Sequence, residues 1–152
     1  MFRNTEDQRR KEGQAITNII IAGHGTWPTA ILRSIEMIGG DTENIECVEI
    51  GDIGGLDVIS GMLEDKIQKL EGGDGILILL DLAGGSPFHA ASRLYGRPDI
   101  EALAGVNVAM ALEIAVHRRE MSPKDLVGLG LEVGKLSMMD VFDTVEKQLK
   151  KR

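Results

Sequence analysis

The chain has 152 residues, 43% of them hydrophobic and 27% charged, the balance of one globular domain rather than of a disordered or fibrous chain. Its formal net charge of −7 speaks against nucleic acid, whose binding rests on Lys and Arg contacts to phosphates, and suits a basic partner instead. No apolar stretch approaches the roughly 20 residues needed to span a bilayer, and a single cysteine, Cys47, can close no internal disulfide, which fits a reducing, cytoplasmic compartment.

The charged start, Met1 to Gln14, lacks the apolar core of a secretory signal, so residues 1–18 read as a flexible arm ahead of one domain over 19–152. The run Asn18-Ile19-Ile20-Ile21-Ala22-Gly23-His24 carries no polar alternation, which predicts a strand buried on both faces. It delivers His24, held between two glycines, to the strand's carboxyl end. Pro28 to Ile38 has apolar residues at helical spacing and is closed by Gly39-Gly40. Ile45 to Ile50 is a second strand with Cys47 as a small buried residue. Leu56, Ile59, Leu63, Ile67 and Leu70 mark an amphipathic helix stopped by Gly72-Gly73.

Gly75 to Asp81 is the most uniformly apolar run and predicts a central parallel strand that ends on a carboxylate. A Leu82-Ala83-Gly84-Gly85 loop follows, with Ser86 as N-cap and Pro87 as first residue of a helix to about Leu94. Ile100 to Gly105 predicts a short fourth strand and Asn107 to Arg118 a mostly buried helix. Ser122-Pro123-Lys124-Asp125 opens another helix with a cap, a proline and an early acid. Val141, Phe142, Val145 and Leu149 predict a last one, with Lys147, Lys150, Lys151 and Arg152 at its negative end. Strands alternating with helices imply an α/β fold: an open, mainly parallel, flavodoxin-like sheet of order 2-1-3-4 with helices on both faces.

In that order the first and third strands are neighbours, so His24 and Asp81 face each other at the edge where ligands gather. A carboxylate bonded to one ring nitrogen fixes the tautomer and leaves the other nitrogen as a directed nucleophile. Phosphoryl transfer needs mainly such positioning together with charge stabilisation. Gly23, Gly25, Gly84 and Gly85 allow close backbone approach, and the helix starts near Pro28 and Ser86 offer N–H groups to phosphate oxygens. Ser86 either donates its hydroxyl there or caps its helix. The three histidines and the acids show no metal-site spacing, so neither metal nor cofactor is expected.

The segments Ile21 to Trp27, Glu36 to Gly40, Leu80 to Phe88 and Ala104 to Asn107 together resemble the enzyme IIA component of the mannose-family sugar phosphotransferase system, over about Ile19 to Val133. The resemblance implies that His24 accepts a phosphoryl group from the phosphocarrier HPr and passes it to a IIB component, which serves sugar uptake through the membrane IIC and IID subunits. It also implies that Asp81 orients His24, that Ser86 lies at the phosphate site and that the protein is a homodimer; because the sequence ends at Arg152, a separate IIB polypeptide is expected. His89 stands where the family usually has asparagine, Ala109 where proline is common, and Leu82 where some members carry a hydroxyl.

His89, one turn into its helix, either nears the phosphate or faces solvent, and His117 suits the dipole at a helix end. Trp27 edges the pocket, joins a docking face or packs on the sheet. Three alternatives compete with the phosphocarrier. A receiver-like domain phosphorylated on Asp81 would need paired acids after the first strand, where Gly23-His24 stands. A flavin or nucleotide binder would need a longer glycine fingerprint. The phosphotransfer subunit of a dihydroxyacetone kinase resembles this family in fold, but the Gly-Gly-Ser-Pro-Phe segment favours the sugar component. Which sugar is carried is not written in this chain.

Overall fold

Parallel pairing places the first strand at the centre of the sheet, between the second and third. A computed structural model describes residues 15–152 apart from 53, 71 and 72. Its strands are β1 (Asn18–His24), β2 (Ile45–Ile50), β3 (Ile76–Leu80) and β4 (Ile100–Leu103), all parallel in the order β2-β1-β3-β4. The helices among the described residues are α1 (Trp27–Gly39), α2 (Leu56–Lys69), α3 (Ser86–Ser92), α4 (Val108–His117), α5 (Pro123–Ser137) and α6 (Val141–Lys150). The flavodoxin-like order expected from the alternation is the one the chain adopts.

Side chains alternate across a strand, so the isoleucine run feeds both layers. Ile19 and Ile21 join Leu77, Leu79 and Leu103 beneath α1, α4 and α5, where Ile31, Ile35, Met110, Ile114 and Leu126 close that core. Ile20 and Ala22 turn the other way with Ile76, Ile78 and Leu80, against Ile59, Leu63 and Ile67 of α2 and Ala90 and Ala91 of α3. Each fully buried isoleucine contributes about 1.5–3 kcal/mol of transfer free energy, which holds β1 rigidly enough to carry a reacting side chain at its end.

The packed chain begins before the expected boundary at residue 19. Residues 1–14 of the predicted arm lie outside the described residues, but Ala15, Thr17 and Asn18 are buried. Thr17 donates its hydroxyl to Met121 O at 2.8 Å, its N–H bonds Arg118 O at 2.8 Å, and Asn18 Nδ2 donates to Leu70 O at 3.2 Å. Other boundaries move by a residue or two: β3 starts after Gly75, β4 ends at Leu103, and α3 ends at Ser92. Gly72, expected to stop α2, lies outside the described residues. The caps Asn107, Ser122 and Asp140 each accept a backbone N–H three residues on.

Candidate functional site

The carboxyl ends of β1 and β3 bring His24 and Asp81 together as the strand order requires. Asp81 Oδ2 lies 2.7 Å from His24 Nδ1 and also accepts the His24 backbone N–H at 2.8 Å, while Oδ1 accepts the Leu82 N–H at 2.8 Å. Three donors therefore converge on one carboxylate. Burial alone raises the Asp81 carboxyl, but the hydrogen bonds from the His24 backbone, the His24 ring and the Leu82 backbone outweigh it and hold the group below its ordinary range. An ionised carboxylate only accepts, so Nδ1 carries the shared proton, and in the neutral ring the lone pair is then on Nε2.

Exposure divides the pair in a useful way. The Asp81 side chain is 10% exposed and the His24 side chain 50%, so the orienting group is shielded while the imidazole edge faces outward. Gly85 fits against the ring, since a Cβ built there would stand 3.1 Å from His24 Cε1. Gly84 makes the preceding turn with φ +81°, a conformation that disfavours any side chain.

The remaining predicted residues divide into those that face the imidazole and those that do not. Gly85, not Ser86, is the N-cap of α3; Ser86 is the first helical residue and makes no cap bond. The Ser86 side chain is thus exposed and its N–H, like that of Gly84, finds no partner among the described residues. Gly25 turns the chain with φ +59° but its N–H is already bonded to Ile50 O at 2.9 Å, extending the ladder to β2. That N–H is therefore taken up by the sheet, and Gly25 contributes the turn. Trp27 packs against the α1-side core.

His89 is exposed and sets its ring edge-on to Phe88 with centroids 5.6 Å apart. His117 sits 3.4 Å from both Glu113 and Glu120 at the end of α4. Cys47, expected to be buried, is only partly so, and its thiol is pushed up to about 11, by desolvation first and then by Glu49 and Glu46, so it stays protonated. Among the described residues no helix is long and apolar enough to cross a membrane. Gly23, which spacing marks only as a place of close backbone approach, has Asp81 as its specific neighbour through the β1–β3 register.

Comparison with known proteins adds the lineage of this arrangement. The sequence profile of the family EIIA-man, described as the PTS system fructose IIA component, matches residues 18–128. The chain is 33% identical over 119 residues to the PTS system mannose-specific EIIAB component of Escherichia coli (strain K12), covering 77% of this chain and 37% of that protein. It therefore spans little more than a third of that relative's length. The PTS system fructose-specific EIIA component of Bacillus subtilis (strain 168) is 29% identical over 111 residues, covering 72% of this chain and 76% of that protein. The crystal structure of phosphotransferase system component EIIA from Streptococcus agalactiae superposes with a TM-score of 0.76 at 29% identity, over 85% of this chain and 99% of that one.

Proposed function

The chain belongs to the EIIA-man family of phosphotransferase-system IIA components, and from that premise we propose that it is a phosphoryl carrier of sugar uptake with His24 as its phosphoacceptor. His24 takes the group from HPr and passes it to a IIB component. One observation carries this reading: Asp81 holds His24 Nδ1 at 2.7 Å, which leaves Nε2 as the outward nucleophile.

The Nε2 lone pair attacks the phosphorus of the donor's phosphohistidine in line, so an Nε2–P bond forms as the donor's N–P bond breaks. Because Nδ1 keeps its proton, positive charge develops on the His24 ring. The fixed Asp81 carboxylate stabilises that charge without having to reorganise. Transfer to IIB runs the same steps in reverse. The N–H groups of Gly84 and Ser86, which have no partner among the described residues, and the Ser86 hydroxyl would receive the phosphoryl oxygens, while Gly25 shapes the turn and Gly85 leaves space for the ring.

The receiver-like alternative would require an Asp81 free to be phosphorylated. Both of its oxygens are engaged and its side chain is shielded. The homodimer and the cytoplasmic location belong to the same proposal. The first is supported by α6, which buries none of its residues and leaves Phe142 86% exposed. Incubation with phosphoenolpyruvate, enzyme I and HPr should label the protein with an acid-labile, alkali-stable phosphoryl group that is absent from His24→Ala. A label that survives in His24→Ala overturns the assignment.

A further inference from the structure

The register that pairs Ala22 with Leu80 sets Gly23 beside Asp81 at the next step. Alternation turns both positions to the same face of the sheet, the one on which Trp27 packs. On that face the Asp81 side chain must lean across to β1 to meet both the N–H and the ring of His24. It passes over Gly23. A Cβ built at Gly23 would stand 2.9 Å from both Cγ and Oδ2 of Asp81 and 2.7 Å from Cε3 of Trp27, closer than real Cβ contacts come. Gly23 is not among the glycines with positive φ, so the position requires the missing side chain and not backbone freedom.

We propose that Gly23 is a positioning residue whose empty Cβ site seats the Asp81 carboxylate and so sets the tautomer and aim of His24. Its catalytic consequence rests on the phosphocarrier reading given above; the geometric part does not. A methyl group at this position leaves the charge and both reacting residues in place but displaces the carboxylate from two of its three donors. Trp27 is the other neighbour that the methyl group meets, and the experiment separates the two.

The test compares Gly23→Ala in two backgrounds, wild type and Asp81→Ala, the second of which removes the carboxylate that the methyl group meets. With ¹⁵N-labelled protein above the ring's titration, wild-type His24 should show one tautomer, protonated on Nδ1, and Gly23→Ala a mixture of both. Phosphoryl acceptance from phospho-HPr should fall about 10–100-fold, the scale set by ångström misplacements in a reacting pair. In the Asp81→Ala background the same change should cost less than about threefold, because the two changes act through one contact. Failure of Gly23→Ala to fold alone, with the double variant folded, also matches the proposal. An unaltered tautomer and rate in Gly23→Ala, showing that Trp27 yields instead, overturn it, as do equal losses of rate or of Tm in the two backgrounds. Should wild type accept no phosphoryl group, the phosphocarrier reading fails while the tautomer comparison still decides the role of Gly23.

Discussion

Asp81→Asn preserves shape and removes charge, which isolates the contribution of the carboxylate. In the structure its two oxygens accept from His24 N at 2.8 Å, His24 Nδ1 at 2.7 Å and Leu82 N at 2.8 Å. A carboxamide has one accepting oxygen and a donating NH₂. With its oxygen toward His24 the NH₂ opposes the Leu82 N–H; turned around, it opposes the His24 backbone N–H and frees the ring. Either way one donor faces a donor, and no negative charge remains to balance the phosphorylated ring. A hydrogen bond to a charged group contributes about 1.5–3 kcal/mol. The half-exposed imidazole is partly screened by solvent, which places the effect low in that range and the slowing of phosphoryl acceptance at about 10–30-fold. Rapid-quench single turnovers with phospho-HPr should show the maximal rate constant falling while its dependence on donor concentration stays put. A variant within about twofold of wild type would refute the argument, since that corresponds to less than 0.5 kcal/mol by the same arithmetic.

Other consequences can be checked on the same protein. The folded-state pKa of Asp81 lies below its unfolded value, so its stabilisation is complete above the unfolded pKa and disappears as pH falls through the folded one; Asp81→Asn should flatten the acid limb of urea-derived stability, and an unchanged limb would contradict this. Cys47, partly buried and with its thiol pushed up to about 11, should react slowly with thiol reagents at neutral pH in the folded protein and faster in urea; labelling of native protein as fast as in urea would count against the raised thiol. Ile20→Ala, at a fully buried position, should cost about 2–5 kcal/mol in urea unfolding, and a cost below 1 kcal/mol on that same scale would mean that the site collapses around the cavity. If the proposed homodimer forms through α6, removal of residues 140–152 should turn a dimer into a monomer in sedimentation while leaving the melting temperature of the core nearly unchanged, and a truncated chain that still sediments as a dimer would place the interface elsewhere.

Uniform apolarity made the central strands readable: a chain that buries both faces of β1 and β3 has no room for polar alternation, so Ile19 to Ala22 and Ile76 to Leu80 announce themselves. Given the strand order, the meeting of His24 with Asp81 follows from where those runs stop. Local preference misled at Ser86, a favoured cap residue; the helix starts one position earlier, with Gly85, the glycine against the His24 ring, in the extended N-cap conformation. Gly25 reads as a place of close backbone approach, yet its N–H continues the β1–β2 ladder to Ile50, a tertiary bond that spacing does not reveal. Residues 15–18 looked like part of a tail because their polar atoms are satisfied by the distant Met121, Arg118 and Leu70. The amphipathic α6 was legible as a helix from Val141, Phe142, Val145 and Leu149, but periodicity cannot say what covers that face. Gly23 shows its purpose only when register puts a specific side chain over it.

The central claim is that Asp81 commits Nδ1 and thereby makes Nε2 of His24 the nucleophile. Long-range ¹⁵N–¹H and ³¹P spectra of the phosphorylated, histidine-labelled protein test it directly. The account predicts a single phosphoryl group bonded to Nε2 of His24, with Nδ1 still protonated. Phosphorus on Nδ1, on another histidine or on the Asp81 carboxylate would contradict it.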